Sequence, residues 1–216
     1  VDISRSVKPV DQDSSEMFAK VSRARKALEF LEGINYTKDA DAEAIARTTV
    51  EIDGDPVAFV DNCQSRLAEL SIELAAARKQ MDARLPWGEY DKKAIDSLSD
   101  LGYKVRYYIV DKKRFDQAWA GQYPLQVIEE DGKKVWFVTV APKDEEYTFP
   151  VQEMAAPEGT YAEAEQNAAH IKAEMIKCKA GLLNAKDYIP AIKEACNSDL
   201  VELDRYLAVE AGQGAA

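Results

Sequence analysis

At 216 residues, with 46% apolar and 31% charged side chains, the chain has the composition of one or two globular domains. Its formal net charge of -11 and pI near 4.7 exclude non-specific nucleic-acid binding, which needs a basic surface to neutralise phosphates. No apolar run approaches the roughly 20 residues needed to span a bilayer. The three cysteines, Cys63, Cys178 and Cys196, are odd in number, lie on helical patterns and lack metal-ligand spacing. They read as reduced, buried small hydrophobes.

The chain opens with a strand-like fragment, Val1 to Ile3, that has no nearby neighbour to pair with, and ends in the featureless Ala211-Gly-Gln-Gly-Ala-Ala. Both ends are expected to be cuts in a longer polypeptide. A first helix is expected from about residue 15, with start signals at Asp13 or Ser15, to Gly33. Its apolar positions Met17, Val21, Ala24, Leu28 and Leu31 are spaced 4-3-4-3. Residues 34 to 55 form a polar, Asp-rich linker, in which Asp39 to Val50 is read as a short helix.

A second helix starts at Asp55 with Pro56 in its first turn and runs to Leu85, where Pro86 stops it. Val60, Cys63, Leu67, Leu70, Leu74, Ala77 and Met81 repeat at 3-4 spacing along it. Residues 86 to 159 change character and predict a distal lobe. Asp91 can cap a short helix ending at Gly102, and Tyr103 to Val110 alternates as a strand with Tyr103, Val105, Tyr107 and Ile109 on one face. Asp111 can cap a second short helix carrying Phe115 and Trp119. Tyr123 to Glu129 and Lys133 to Val140 flank Glu130-Asp131-Gly132, a hairpin signal.

The last helix opens with the capping box Thr160-x-x-Glu163, whose hydroxyl and carboxylate can each satisfy a free backbone donor. Its seam reads Ala168, Ile171, Met175, Cys178, Leu182, Ala185, Ile189, Ile192 and Cys196. It then slips to Leu200, Leu203 and Leu207, a stutter. Pro190 lies inside the run and removes one backbone bond, so a kink or opening is expected there.

At 1.5 Å per residue the last helix is about 75 Å long, the second about 45 Å and the first about 28 Å. The second is therefore expected to pair antiparallel with the first half of the last, and the first helix with the half beyond Pro190. The predicted fold is α+β: a long antiparallel coiled-coil arm (residues 1–85 and 160–216) capped by a small α+β lobe (86–159) with a largely antiparallel sheet. A plain helical bundle is the competing reading of the same stripes.

The chain carries no phosphate-binding loop, no dinucleotide fingerprint, no nucleophile elbow and no Cys-x-x-Cys pair. No catalytic residue, cofactor or metal is expected. The single histidine, His170, sits on a helix flank, and the acidic groups Glu129-Glu130-Asp131 and Asp144-Glu145-Glu146 lie on turns, where solvated charge is the ordinary role. Trp87 and Tyr90 are expected to anchor the lobe. Lys112-Lys113-Arg114 is the best basic patch, and with Trp119 it is the candidate docking surface for an acidic helical partner.

Three segments carry a family resemblance: Leu85-Pro-Trp-Gly-Glu-Tyr-Asp91, Leu101-Gly-Tyr-Lys-Val-Arg-Tyr-Tyr108 and Phe137-Val-Thr-Val140, with the Val1 to Pro9 entry beside them. Together with the helix, lobe, helix layout they resemble the cytoplasmic region of subunit I, or subunit a, of bacterial V-type and archaeal A-type rotary ATPases, Bacteroidetes-like. The resemblance covers essentially the whole chain. It implies a non-catalytic stator scaffold whose distal lobe receives a peripheral stalk, a heterodimer of the E and G type. It further implies contacts with other subunits of the rotary ATPase, and an ion-conducting C-terminal membrane domain beyond this sequence that would hold the chain at the cytoplasmic face of the inner membrane. In that family the nucleotide sites lie on other subunits and the gating arginine in the membrane domain, so no functional residue carries over. A free-standing coiled-coil adaptor is the alternative, and an enzyme with a site in the lobe is a third reading for which the sequence supplies no pocket residues.

Overall fold

The computed structural model describes residues 4–89, 91–145 and 148–214, with 4–11 and 214 as backbone alone. The Val1 to Ile3 fragment, Tyr90 and Glu146 lie outside the described residues. The chain divides into two compact units, Val1–Ser71 with Lys172–Ala216, and Ile72–Ile171. The second unit takes in the end of the second helix and the start of the last one along with the predicted lobe.

The first unit is helical. It contains α1 (Ser4–Gly33), α2 (Ala42–Arg47), the first half of α3 (Pro56–Arg84), the second half of α6 (Tyr161–Ala185) and α7 (Ile189–Gly214). Helix α1 begins well ahead of the Asp13 and Ser15 signals and runs through Pro9. A capping preference is worth only about 1 kcal/mol, too little to stop a helix whose upstream residues can continue it. Asp55 opens α3 as expected, its carboxylate accepting from Val57 N at 3.3 Å.

One core joins α1, α3, α6 and α7 through Val21, Ala24, Ala27, Leu31, Val60, Cys63, Leu182, Ala185, Ile192 and Cys196. These are the predicted seam positions with Ala27 added. Within this unit, then, four helical segments share an interior in the manner of a bundle. Helix α1 lies antiparallel to α7, with Lys20 facing Asp199 at 3.5 Å and Glu32 facing Lys193 at 2.8 Å. Helix α3 lies antiparallel to α6: Arg66 grips Glu174 with two bonds of 2.7 and 3.0 Å, and the Phe59 ring lies two turns further along against Gly181. Both pairings match those expected from the helix lengths. The predicted seam residue Leu207 is instead 48% exposed. Helix α3 begins beside Ala191–Asp199, so past that point α7 has α1 beside it and one neighbour covers less of its face.

At Pro190 the α-helix is interrupted, by a tightened turn rather than an opening. Helix α6 ends at Ala185, a 3-10 turn spans Lys186–Tyr188, and α7 starts at Ile189. Proline has no N–H to return to Lys186, and the ladder tightens there.

Residues 34–55 form a strap packed on α6. Its short helix α2 buries Ile45. Polar anchors hold the rest: Lys179 Nζ to Asp39 at 2.6 Å, Lys172 Nζ to Asp41 at 3.5 Å, Asn184 Nδ2 to Val50 O at 3.0 Å and Lys186 Nζ to Ile34 O at 2.8 Å. The Lys179 hydrogen bond holds the Asp39 carboxyl below its usual range, helped by the Asp41 backbone N–H.

The second unit is α+β. Its sheet has three antiparallel strands in the order β1-β3-β2, with β1 Tyr103–Asp111, β2 Leu125–Glu130 and β3 Lys134–Pro142. Asp91 caps α4 (Lys92–Asp100), its carboxylate accepting from Lys93 N at 2.9 Å. Asp111 does not cap a helix: a 3-10 turn, Lys112–Arg114, follows it, and the short α5 (Trp119–Gln122) comes later, where Asp116 Oδ1 accepts from Ala118 N at 2.9 Å. At the hairpin, Asp131 Oδ1 accepts from both Lys133 N and Lys134 N at 2.7 Å. Those bonds hold its carboxyl below the usual range.

The strand alternates as expected, and both of its faces carry buried residues. Tyr108 and Val110, with Val135 and Phe137, meet Trp119 and Phe149 in the lobe core. Tyr107, on the opposite face, is also buried, its ring edge-on to Trp87 at 5.4 Å. A strand covered on both faces gives no simple alternation of apolar and polar residues.

Candidate partner-binding surface

The basic turn is exposed and stands at the end of β1. Lys112 N donates to Lys133 O at 2.7 Å, which closes the turn against the β2–β3 hairpin. Register therefore brings Lys133 and Lys134 beside Lys112, Lys113 and Arg114, a cluster that sequence spacing does not reveal. The same register supplies counter-charge. Lys112 Nζ lies 3.7 Å from Glu130 and donates to Asp131 O at 3.3 Å. Lys113 and Arg114 are left as the outward cations of the turn.

Trp119 is not part of this surface. It is buried, with its ring 5.1 Å from Phe149 and 5.5 Å from Phe115. An indole placed in the core gives stability and cannot also serve as an anchor for a partner. Tyr108 is likewise in the core, stacked on Phe137 at 5.1 Å. The contact surface of the candidate site is thus polar, with Lys112, Lys113 and Arg114 and without an aromatic anchor from Trp119.

The Pro86-Trp87-Gly88-Glu89 segment has a structural role in the same unit. Leu85–Trp87 forms a 3-10 turn, Trp87 is buried, and Gly88 takes φ +68°, which a side chain would disfavour. Glu89 Oε1 then accepts from Ala162 N at 2.9 Å, while Thr160 Oγ1 accepts from Glu163 N at 3.2 Å. Two of the free donors at the start of α6 are thereby met. Thr160 makes its half of the predicted box and Glu89 adds a separate cap at Ala162, while Glu163 and the Arg84 guanidinium occupy the space where a Gly159 side chain would stand. Arg84 Nη1 also donates to Thr160 O at 3.2 Å. Glu89→Ala is expected to cost about 1 kcal/mol, the usual loss of an N-terminal cap. A guanidinium melt followed by tryptophan fluorescence would show it as a lower midpoint with unchanged slope.

His170 is exposed on α6, and the Glu129-Glu130-Asp131 turn is solvated. In the bundle, a cleft of about 470 Å³ is lined by apolar residues including Ala24, Val57, Ala58 and Ile192 and by the charged Lys20, Arg23, Asp55, Asp61 and Asp199. Among the described residues no three His, Cys, Asp or Glu side chains are grouped to hold a metal, and no helix is long and apolar enough to cross a membrane. Comparison with known proteins finds no matching family model, curated protein or solved structure.

Proposed function

We propose that this chain is a non-catalytic scaffold, and specifically the stator arm of a V-type rotary ATPase, linking a membrane domain at the cytoplasmic face of the inner membrane to a peripheral stalk. The observation that supports it best is the antiparallel pairing of long helices, α1 with α7 and α3 with α6, cross-tied by Lys20–Asp199, Glu32–Lys193 and the bidentate Arg66–Glu174 pair. Such pairing resists sliding and twisting of one helix on another, as a part that holds against torque must. In this reading the sequence forms a coiled-coil arm, the α+β lobe receives the E/G-type heterodimer, and nucleotide and ion chemistry belong to other parts of the complex.

The test is binding of the purified chain to the E/G-type heterodimer encoded in the same genome, followed by interferometry across a salt series. Saturable binding is expected. Reversal of Lys112, Lys113 and Arg114 to Glu should weaken it about tenfold at low salt and less at high salt, because rim charges act through association rate and are screened. Lys113 and Arg114 should carry most of the loss, since Lys112 is already paired with Glu130. Wild-type binding with no response to the triple reversal would move the docking site elsewhere. Absence of wild-type binding would overturn the stator reading and favour a free-standing adaptor.

A further inference from the structure

The bundle holds a pair of facing thiols. Phe59, Cys63 and Arg66 follow one another along one face of α3, and Gly181, Cys178 and Glu174 along the facing side of α6. The Arg66–Glu174 pair fixes the register on one side, and the Phe59 ring against Gly181 fixes it on the other. A Cβ at position 181 would meet Phe59 at 2.8 Å, so the glycine permits the close approach of the two helices there. Between these two contacts Cys63 and Cys178 lie opposite one another, close enough for each to affect the other's titration. Both are free thiols, as is Cys196, which lies on α7.

We propose that Cys63 and Cys178 are a dithiol–disulfide pair, which a low-molecular-weight disulfide converts into a covalent staple between α3 and α6. Two cysteines at facing positions on antiparallel helices, with a register contact one turn away on either side, are presented to each other. A disulfide requires Cα atoms within about 7 Å, and the glycine at 181 lets the two helices approach closely beside the pair.

The two sulfurs differ in access. Cys178 is half-buried and can be reached from solvent, while Cys63 is 9% exposed and is reached through Cys178. The Cys178 thiolate attacks one sulfur of the small disulfide, forming a mixed disulfide and releasing one thiolate. The Cys63 thiolate then attacks the Cys178 sulfur and releases the second. Two protons leave the protein, and the two electrons reduce the small disulfide to two thiols.

Burial pushes the Cys63 thiol up to about 11. Burial, with Glu174, also raises Cys178, while Arg66 and Lys177 act against the rise. Tyr36, Asp39 and Lys179 complete the charged and titratable surroundings on the strap side. Thiolate is therefore scarce at neutral pH, and the pair responds to sustained rather than brief oxidation.

The experiment exposes the folded protein at pH 8 to excess oxidised glutathione, quenches with acid, alkylates and maps the peptides. Two of the three thiols should resist alkylation, the mass should fall by two hydrogens, and a Cys63–Cys178 cross-linked peptide should appear and vanish with dithiothreitol. Cys196→Ser should keep the cross-link. Cys63→Ser and Cys178→Ser, each checked for native helicity, should lose it, and Cys63→Ser should instead trap glutathione on Cys178. Persistence of three alkylatable thiols, a stable glutathione adduct on Cys178 in the wild type, or cross-links between chains would each overturn the proposal.

Discussion

Phe137→Ala is expected to remove a large share of the lobe's stability. Phe137 is fully buried at the centre of β3, the middle strand, and its ring meets Tyr108, Phe115, Phe149 and Trp119 at 5.1, 5.4, 5.6 and 6.2 Å. Truncating a buried phenylalanine costs about 3–5 kcal/mol, and a domain of this size has only about 5–15 kcal/mol in total. The four ring neighbours belong to separate segments of the chain, so no single movement can refill the space. All three tryptophans, Trp87, Trp119 and Trp136, lie in this unit. Tryptophan fluorescence therefore reports its unfolding, while circular dichroism at the helical band is weighted toward the bundle. The fluorescence midpoint should fall sharply in guanidinium, well ahead of the main loss of helical signal. An unchanged fluorescence midpoint would show that the aromatic cluster does not hold the lobe together.

Leu182→Ala should do to the bundle what Phe137→Ala does to the lobe, at a cost of about 2–5 kcal/mol. Leu182 is fully buried, and its helix neighbours Ala180, Gly181 and Ala185 are small and buried as well. They have no length with which to fill the cavity. Here the helical dichroism should melt early, and tryptophan fluorescence should be the less affected signal. Ile72→Ala is the control, since Ile72 is 74% exposed on α3 and its removal should stay within about 0.5 kcal/mol. Equal losses for the two variants would contradict the placement of the seam.

Much of this fold can be read along the chain wherever a local pattern decides the outcome. The 3-4 stripes of α3 and α6 mark their buried faces because an isolated apolar stripe has one way to leave water. Asp91, Asp131-Gly132 and Pro190 each act on the few backbone bonds around them, so cap, hairpin and helix break are visible in the sequence. The strap was less legible. Lys179, Asn184 and Lys186 hold it through carboxylate and carbonyl oxygens, and polar anchors leave no hydrophobic period. That Asp111 is followed by a 3-10 turn and not by the expected helix depended on how β1 ends against the hairpin, a tertiary matter. The candidate surface was half legible: the Lys112-Lys113-Arg114 run is plain, but its pairing with Glu130 and its neighbours Lys133 and Lys134 follow from strand register. Trp119 illustrates the general difficulty, because the same indole suits a core and an interface, and sequence spacing alone does not separate them.

The division of the chain also sets an order for its birth on the ribosome. The lobe unit is continuous, Ile72–Ile171, whereas the bundle is made of Val1–Ser71 and Lys172–Ala216. At about 5–20 residues per second, the roughly 100 residues between the two halves delay the second by about 5–20 seconds. During that interval Leu31, Ile45 and Val60 have emerged without Leu182, Ala185 or Ile192 to bury them. The strap likewise waits for Lys179, Asn184 and Lys186. The nascent chain thus presents an apolar, half-made bundle before its last helices arrive, and this is the stage at which a chaperone that holds exposed helices has something to grip.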